Sequence, residues 1–280
     1  LPSREPSFNN RLSRFVLPAA SPSSSVAIRL ASVSKTFGTS AVGAPPILAP
    51  LDLAIAPGEF VAVLGPSGCG KSTLLRLLSG LAEPSAGTIT IDGHPPGLGD
   101  DLAYVFQDAT LLPWLDVGAN VETLLRLRRV PAAERARRRD AALALVGLAD
   151  RARAYPRQLS GGQKMRVSLA RALATEPRVL LLDEPFGALD EMTRDRLGEE
   201  LLAIHARQRW TALFVTHSVA EAVFLATRIL VLAPRPGRVA HDLRVDLPYP
   251  RNHDTRRDPA YLRVVAEVSA RLRAVDPAAP

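Results

Sequence analysis

The sequence predicts an α/β fold: a parallel-sheet core, an antiparallel β subdomain laid beside it, and an α-helical insert. Three observations carry that expectation. Continuous apolar runs of strand length recur at Phe60 to Leu64, Val179 to Leu182, Ala212 to Val215 and Ile229 to Leu232, as strands buried on both faces require. Helical stretches alternate with them at Ser72 to Ser79, Gly162 to Thr175 and Asp190 to Arg207, and that alternation indicates a parallel sheet. The early segments VAIRL from Val26, LDLAI at Leu51 to Ile55 and GTITIDG at Gly87 to Gly93 read instead as short half-buried strands, which suggests antiparallel pairing.

Taken in order along the chain, residues 1–24 are rich in Pro and Ser without a sustained period, and are expected to be a disordered leader. Arg11, Arg14 and the short FVLPAA hint at a targeting peptide, but that apolar core is too short and proline-broken for a secretory signal. Residues 25–250 form the main domain. Within it, residues from about 108 to 160 break the alternation and offer no strand candidate, so they read as a helical insert. That insert holds Trp114, which fits either a core or an interface, and the cluster Arg135 to Arg139 within AAERARRRDAALAL. The cluster reads as a solvated helix face rather than a nucleic-acid patch. Residues 251–280 are expected to be helical. Asp258-Pro259 gives an N-cap followed by a first-turn proline, and Tyr261, Val265, Val268 and Leu272 line one face that covers the core.

Composition bounds the function. The 280 residues are 47% hydrophobic, enough for a full α/β core. No apolar run approaches the ~18 residues of a membrane helix, so any work at a membrane goes through a partner that spans it. The net charge of +7 comes with only three lysines, Lys35, Lys71 and Lys164, and suits a nucleotide, a nucleic acid or an anionic surface. The single cysteine, Cys69, excludes a disulfide framework within the chain and suits a reducing compartment.

GPSGCGKST, from Gly65 to Thr73, follows the FVAVL strand and opens a helix, the context in which G-x-x-x-x-G-K-[ST] is a phosphate-binding loop. Gly65, Pro66, Ser67, Gly68, Cys69 and Gly70 form the turn whose N–H groups face phosphate oxygens. Lys71 adds a full charge, Ser72 offers a hydroxyl to Mg²⁺, and Thr73 lies in the first helical turn, whose dipole favours an anion. The LLLDE strand places Asp183 as the carboxylate opposite Ser72 and Glu184 where it polarises an attacking water. Cys69 reads as a tolerated small residue, though alkylation there is expected to crowd the phosphates and block hydrolysis. A second glycine-rich stretch, LSGGQ at Leu159 to Gln163, has no lysine; Ser160, Gly161 and Gly162 lead into a helix and make an anion site without that charge.

These motifs, with Gln107 in VFQD, GALD at Gly187 to Asp190 and His217 in VTHS, resemble the ATP-binding subunit of an ABC transporter in order and spacing over about residues 26–245. The resemblance implies a P-loop NTPase core of the ABC ATPase fold, ATP and Mg²⁺ as cofactors, and transport-coupled ATP hydrolysis. Phe37 would stack on adenine, Gln107 would sit near Mg²⁺ and the attacking water, and His217 would reach the γ-phosphate. Ser160, Gly161, Gly162 and Gln163 would contact ATP held by a second copy of the chain, with Asp190 at the dimer interface. The implied partners are that second copy, transmembrane permease subunits and, indirectly, a substrate-binding protein, with no nucleic acid. The implied place is the cytoplasmic face of the cell membrane. Val105 to Val121 and Glu221 to Val239 resemble the nitrate/sulfonate/taurine importer branch, which also includes bicarbonate and thiamine-precursor systems. Arg235-Pro236-Gly237 reads as a basic turn between two strands. The alternative is a soluble ABC ATPase not coupled to transport; such proteins usually carry two nucleotide domains or a long coiled coil. A non-catalytic ATP-binding adaptor gives Glu184 and His217 no job, and a P-loop kinase leaves LSGGQ and VTHS unexplained.

Overall fold

A computed structural model describes residues 27–37, 46–97 and 101–275. The expected leader lies outside the described residues. Two sheets form. The smaller is antiparallel, with β1 (Ile28–Lys35) between β2 (Leu48–Ile55) and β4 (Ala86–Ile91). The larger has six strands, which add β3 (Phe60–Leu64), β5 (Leu102–Val105), β6 (Val179–Asp183), β7 (Thr211–Val215), β8 (Arg228–Ala233) and β9 (Arg238–Arg244) in the order β5-β6-β7-β3-β8-β9. All its pairings are parallel except the β8–β9 hairpin at one edge. The parallel core and the antiparallel subdomain are as expected. β5 is an addition, because only four residues of it pair.

Strand periodicity divides the core into two layers, since successive side chains face opposite sides of a sheet. Val61, Val63, Leu181, Leu213, Val215 and Leu230 pack with the antiparallel sheet and with α1 (Lys71–Leu78). Phe60, Ala62, Leu180, Leu182, Phe214 and Val231 face the other helices. These are α2 (Val117–Leu127), α3 (Ala132–Leu145), α4 (Gly161–Leu173), α5 (Glu191–Gln208), α6 (Val219–Leu225) and α7 (Pro259–Val275). All five residues of β3 are 0% exposed, which explains its unbroken apolar run. Among the described residues, no helix is long and apolar enough to cross a membrane.

The insert is helical, but it opens with a loop, and its first helix begins only at Val117, where Asp116 accepts a bond from the Ala119 N–H. Its arginines are not merely solvated. Arg135 and Arg139 reach back to the buried carboxylate of Glu122 on α2, at 3.4 and 2.6 Å. Arg137 and Arg138 pair with Glu134 and also meet Glu176 beyond α4. The cluster therefore ties α3 to α2 and to the end of α4, since a buried charge needs such partners. Trp114 is 70% exposed, outside the core.

The C-terminal helix covers the core as expected, with Tyr261 and Val268 buried and Val265 and Leu272 packed against the same cluster. Ahead of it, the buried Arg251 donates to the carbonyls of Phe224 and Ala226 at the end of α6. That guanidinium satisfies helix-end carbonyls that would otherwise be orphaned.

Candidate functional site

The phosphate-type loop joins β3 to α1. Gly70, at φ 99°, stands at the helix N-cap in the left-handed region that suits glycine. The Lys71 side chain folds back along the loop, where its ammonium donates to the carbonyls of Gly65 and Pro66 at 2.7 and 3.0 Å. An ammonium has three N–H donors, so the loop holds Lys71 in place with one still to give. Ser67 and Gly68 are exposed at the mouth, and nothing lies within 4 Å of where a Gly68 side chain would start. Thr73 sits half-buried in the first turn of α1.

Cys69 faces inward. Its side chain is 0% exposed and belongs to the core layer beneath the loop, beside Gly65. Burial pushes the thiol pKa up, against the smaller pull of Lys71. Because the thiolate is the nucleophile, alkylation of the folded protein is expected to be far slower than that of a free thiol. The rate should recover on denaturation, as measured by mass spectrometry over time. Fast stoichiometric labelling of the native chain would contradict this placement. Cys69 therefore contributes backbone to the loop, while its side chain packs into the core beneath it.

Parallel pairing carries Asp183, the last residue of β6, to the edge of the loop. Its Oδ1 accepts the Ser72 hydroxyl at 3.1 Å, and its Oδ2 accepts the Tyr104 hydroxyl at 3.2 Å. Burial raises the Asp183 pKa, and the two hydrogen bonds oppose that rise. Tyr104 was not among the sequence candidates. It sits on β5 with its ring stacked on Phe106, and one residue further on Gln107 emerges exposed beside the end of β6.

Glu184 follows with φ 48°, a left-handed conformation uncommon outside glycine and concentrated at functional sites. Its N–H donates to Val215 O, which fixes it against the end of β7. His217, two residues beyond that strand, places Nδ1 3.3 Å from Glu184 Oε2. A short relay stands behind them. Thr216 donates its hydroxyl to Glu221, Glu221 pairs with Arg194 on α5 at 3.3 Å, and Arg194 donates to Leu189 O in the GALD loop. Spacing alone gave no signal for Arg194 or Glu221, because the three elements meet only in the fold.

Leu159 to Gln163 lies in the helical half, around the start of α4. Ser160 Oγ accepts the Gln163 N–H while Gln163 Oε1 accepts the Ser160 N–H, a reciprocal capping box. The Ser160 hydroxyl proton is not used by that bond. Gly161 is exposed, with nothing within 4 Å of its absent side chain, whereas Gly162 abuts Ala188 and Leu189. Asp190 caps α5 by accepting the Thr193 N–H at 2.9 Å. Phe37 is 49% exposed, with Lys35 Nζ 5.0 Å from the ring centre. The structure thus gathers Gly65 to Thr73, Asp183, Glu184, Gln107 and His217 at the ends of the parallel strands. The Ser160 loop stands on a separate element, facing outward.

Residues 48–187 match the family model described as ABC transporter. An aliphatic sulfonates import ATP-binding protein of Xanthomonas axonopodis is 47% identical over 231 residues, covering 82% of this chain and 90% of that protein. A taurine import ATP-binding protein of Pseudomonas entomophila is 52% identical over 202 residues, 72% of this chain and 78% of the relative. A nitrate import ATP-binding protein of Synechocystis is 46% identical over 230 residues, 80% and 86%. Among solved structures, the dimeric ATP-binding cassette MJ0796 in a post-hydrolysis state, bound to ADP and Pi, superposes with a TM-score of 0.71. It is 32% identical and covers 79% of this chain and 100% of its own.

Proposed function

The chain belongs to the ABC transporter family, and on that premise we propose that it is the ATP-hydrolysing subunit of a membrane importer for a small anion or sulfonate-like solute. Residues 25–250 are the ATPase domain, and their helical part, about 108–160, docks permease subunits at the cytoplasmic face of the membrane. Two copies work head to tail, and a substrate-binding protein delivers solute to the permease on the far side.

The observation that carries the reading is the convergence of Lys71, Ser72, Asp183, Glu184 and His217 at one end of the parallel sheet. The Ser72 hydroxyl and the Asp183 carboxylate, 3.1 Å apart, are hard oxygen donors of the kind Mg²⁺ takes. Mg²⁺, when bound, neutralises charge on the phosphates. Tyr104 holds Asp183 in orientation. Lys71 and the loop N–H groups hold the β- and γ-phosphates, and Phe37 offers its exposed ring to the base. Glu184 accepts a proton from the attacking water, and His217, held beside it, orients that water against the γ-phosphate. Gln107 occupies the entrance between this cluster and the helical insert, where it senses occupancy.

The test is purification of the chain from its native membrane. It should hydrolyse ATP and bring a multi-spanning permease with it. Recovery with ribosomes or DNA, and no permease, would favour the soluble alternative.

A further inference from the structure

The turn at Arg235-Pro236-Gly237 has no part in the chemistry above, yet it lies directly under the phosphate loop. Gly237 is buried between β8 and β9. Its N–H donates to Ile47 O at 2.8 Å, and its carbonyl accepts the Ala49 N–H at 2.9 Å, so the hairpin is bridged to the start of β2. A side chain at Gly237 would collide with the carbonyl oxygen of Cys69, and would come within 2.9 Å of Ile47 O and of Leu48 Cδ2. Leu48 in turn presses on the loop from the same side, where a side chain at Gly70 would start 2.5 Å from Leu48 Cδ2. At the other end of the loop, Gly65 sits as close to Leu232 O, 2.7 Å from where its own side chain would begin.

We propose that Gly237 is a positioning residue for the phosphate loop, fixing the Cys69–Gly70 peptide so that the Gly70 N–H faces the phosphates. The proposal rests on the reading of Gly65 to Thr73 as the nucleotide site. The peptide is planar and trans, so its N–H points opposite to its C=O. The C=O of Cys69 faces Gly237, hence the Gly70 N–H is directed away from the turn. A methyl group at Gly237 would drive the carbonyl out of its seat, tilt the peptide plane and misaim that N–H. Arg235, exposed on the same turn, touches none of this and serves as the control.

MgADP is the probe, because it is not turned over. Gly237→Ala is expected to weaken MgADP binding roughly 10- to 100-fold, the worth of one hydrogen bond to a charged group. The nucleotide-free melting temperature should fall, because the displaced groups are backbone, so affinity is compared at a temperature where both chains stay folded, and Arg235→Ala should change neither quantity. Coupling is reciprocal, so in the unmodified chain MgADP should also slow hydrogen exchange at the Gly237 and Ala49 amides. That measurement decides the matter if Gly237→Ala does not fold. Wild-type affinity in a folded Gly237→Ala, or unchanged exchange at those amides, overturns the proposal. Failure of the underlying site is recognisable separately, because Lys71→Ala would then bind MgADP as well as the parent chain.

Discussion

Replacing Glu184 by glutamine is expected to lower ATP turnover by about 10²–10⁴-fold, the usual contribution of a positioned general base, with nucleotide affinity near that of the parent. The substitution keeps the size and shape of the side chain and removes only its charge and basicity. Glutamine still presents an oxygen to His217 Nδ1, 3.3 Å away in the parent, and its backbone N–H still donates to Val215 O. None of the bonds that hold Lys71 or Ser72 involves Glu184, so the phosphate-binding groups keep their places. Glu184 is also one of the charges that raise the Asp183 pKa, and its neutralisation eases ionisation of that carboxylate. Binding should therefore hold while hydrolysis collapses, a split readable from nucleotide titration beside a phosphate-release assay. Hydrolysis within a few-fold of the parent would remove Glu184 from the role of base. The group that accepts the water's proton would then have to be sought at His217, 3.3 Å from Glu184.

The parts of this site that were legible in the sequence are those whose constraint is local. The phosphate loop must carry glycines and Lys71 in sequence, because one turn of backbone makes the whole cradle. Asp183 was legible because a fully buried strand that ends in a carboxylate is chemically conspicuous. His217 and Gln107 were singled out only through the resemblance, since a single histidine or glutamine after a strand has many ordinary uses. Tyr104 gave no signal: it occupies a four-residue strand where an aromatic residue reads as core, and its bond to Asp183 depends on strand pairing. Gly237 was equally silent, because its need for no side chain arises from the carbonyl of a residue far away in sequence. Cys69 shows the converse limit. Sequence placed it in the loop, but not on which side of the loop its thiol would lie. The arginines of α3 follow the same logic, since their main partner, Glu122, sits on the preceding helix and is met only when the two pack.

Ser160→Arg is expected to abolish ATP-driven association of two chains while the monomer binds nucleotide as before. The fold should tolerate the change, because Ser160 is exposed and losing its cap on Gln163 costs about 1 kcal/mol. Nucleotide binding should tolerate it too, since the Ser160 loop heads α4 and makes none of the bonds that hold Lys71, Ser72 or Asp183. An exposed helix N-terminus with an unused hydroxyl proton and an open Gly161 is instead suited to receive an anion from outside the chain. The absence of a lysine there is consistent with such a division: on the proposed head-to-tail arrangement the phosphates would arrive already paired with the partner's own cationic loop, and close approach would matter more than added charge. Arginine would fill the space that Ser160 and Gly161 leave open and hold the second chain off. The comparison is cleanest on the Glu184→Gln background, where slow turnover lets the ATP-bound state accumulate. Size-exclusion chromatography with MgATP should give a dimer for Glu184→Gln and a monomer when Ser160→Arg is added. Persistence of the dimer in the double variant would show that LSGGQ does not complete the partner's site.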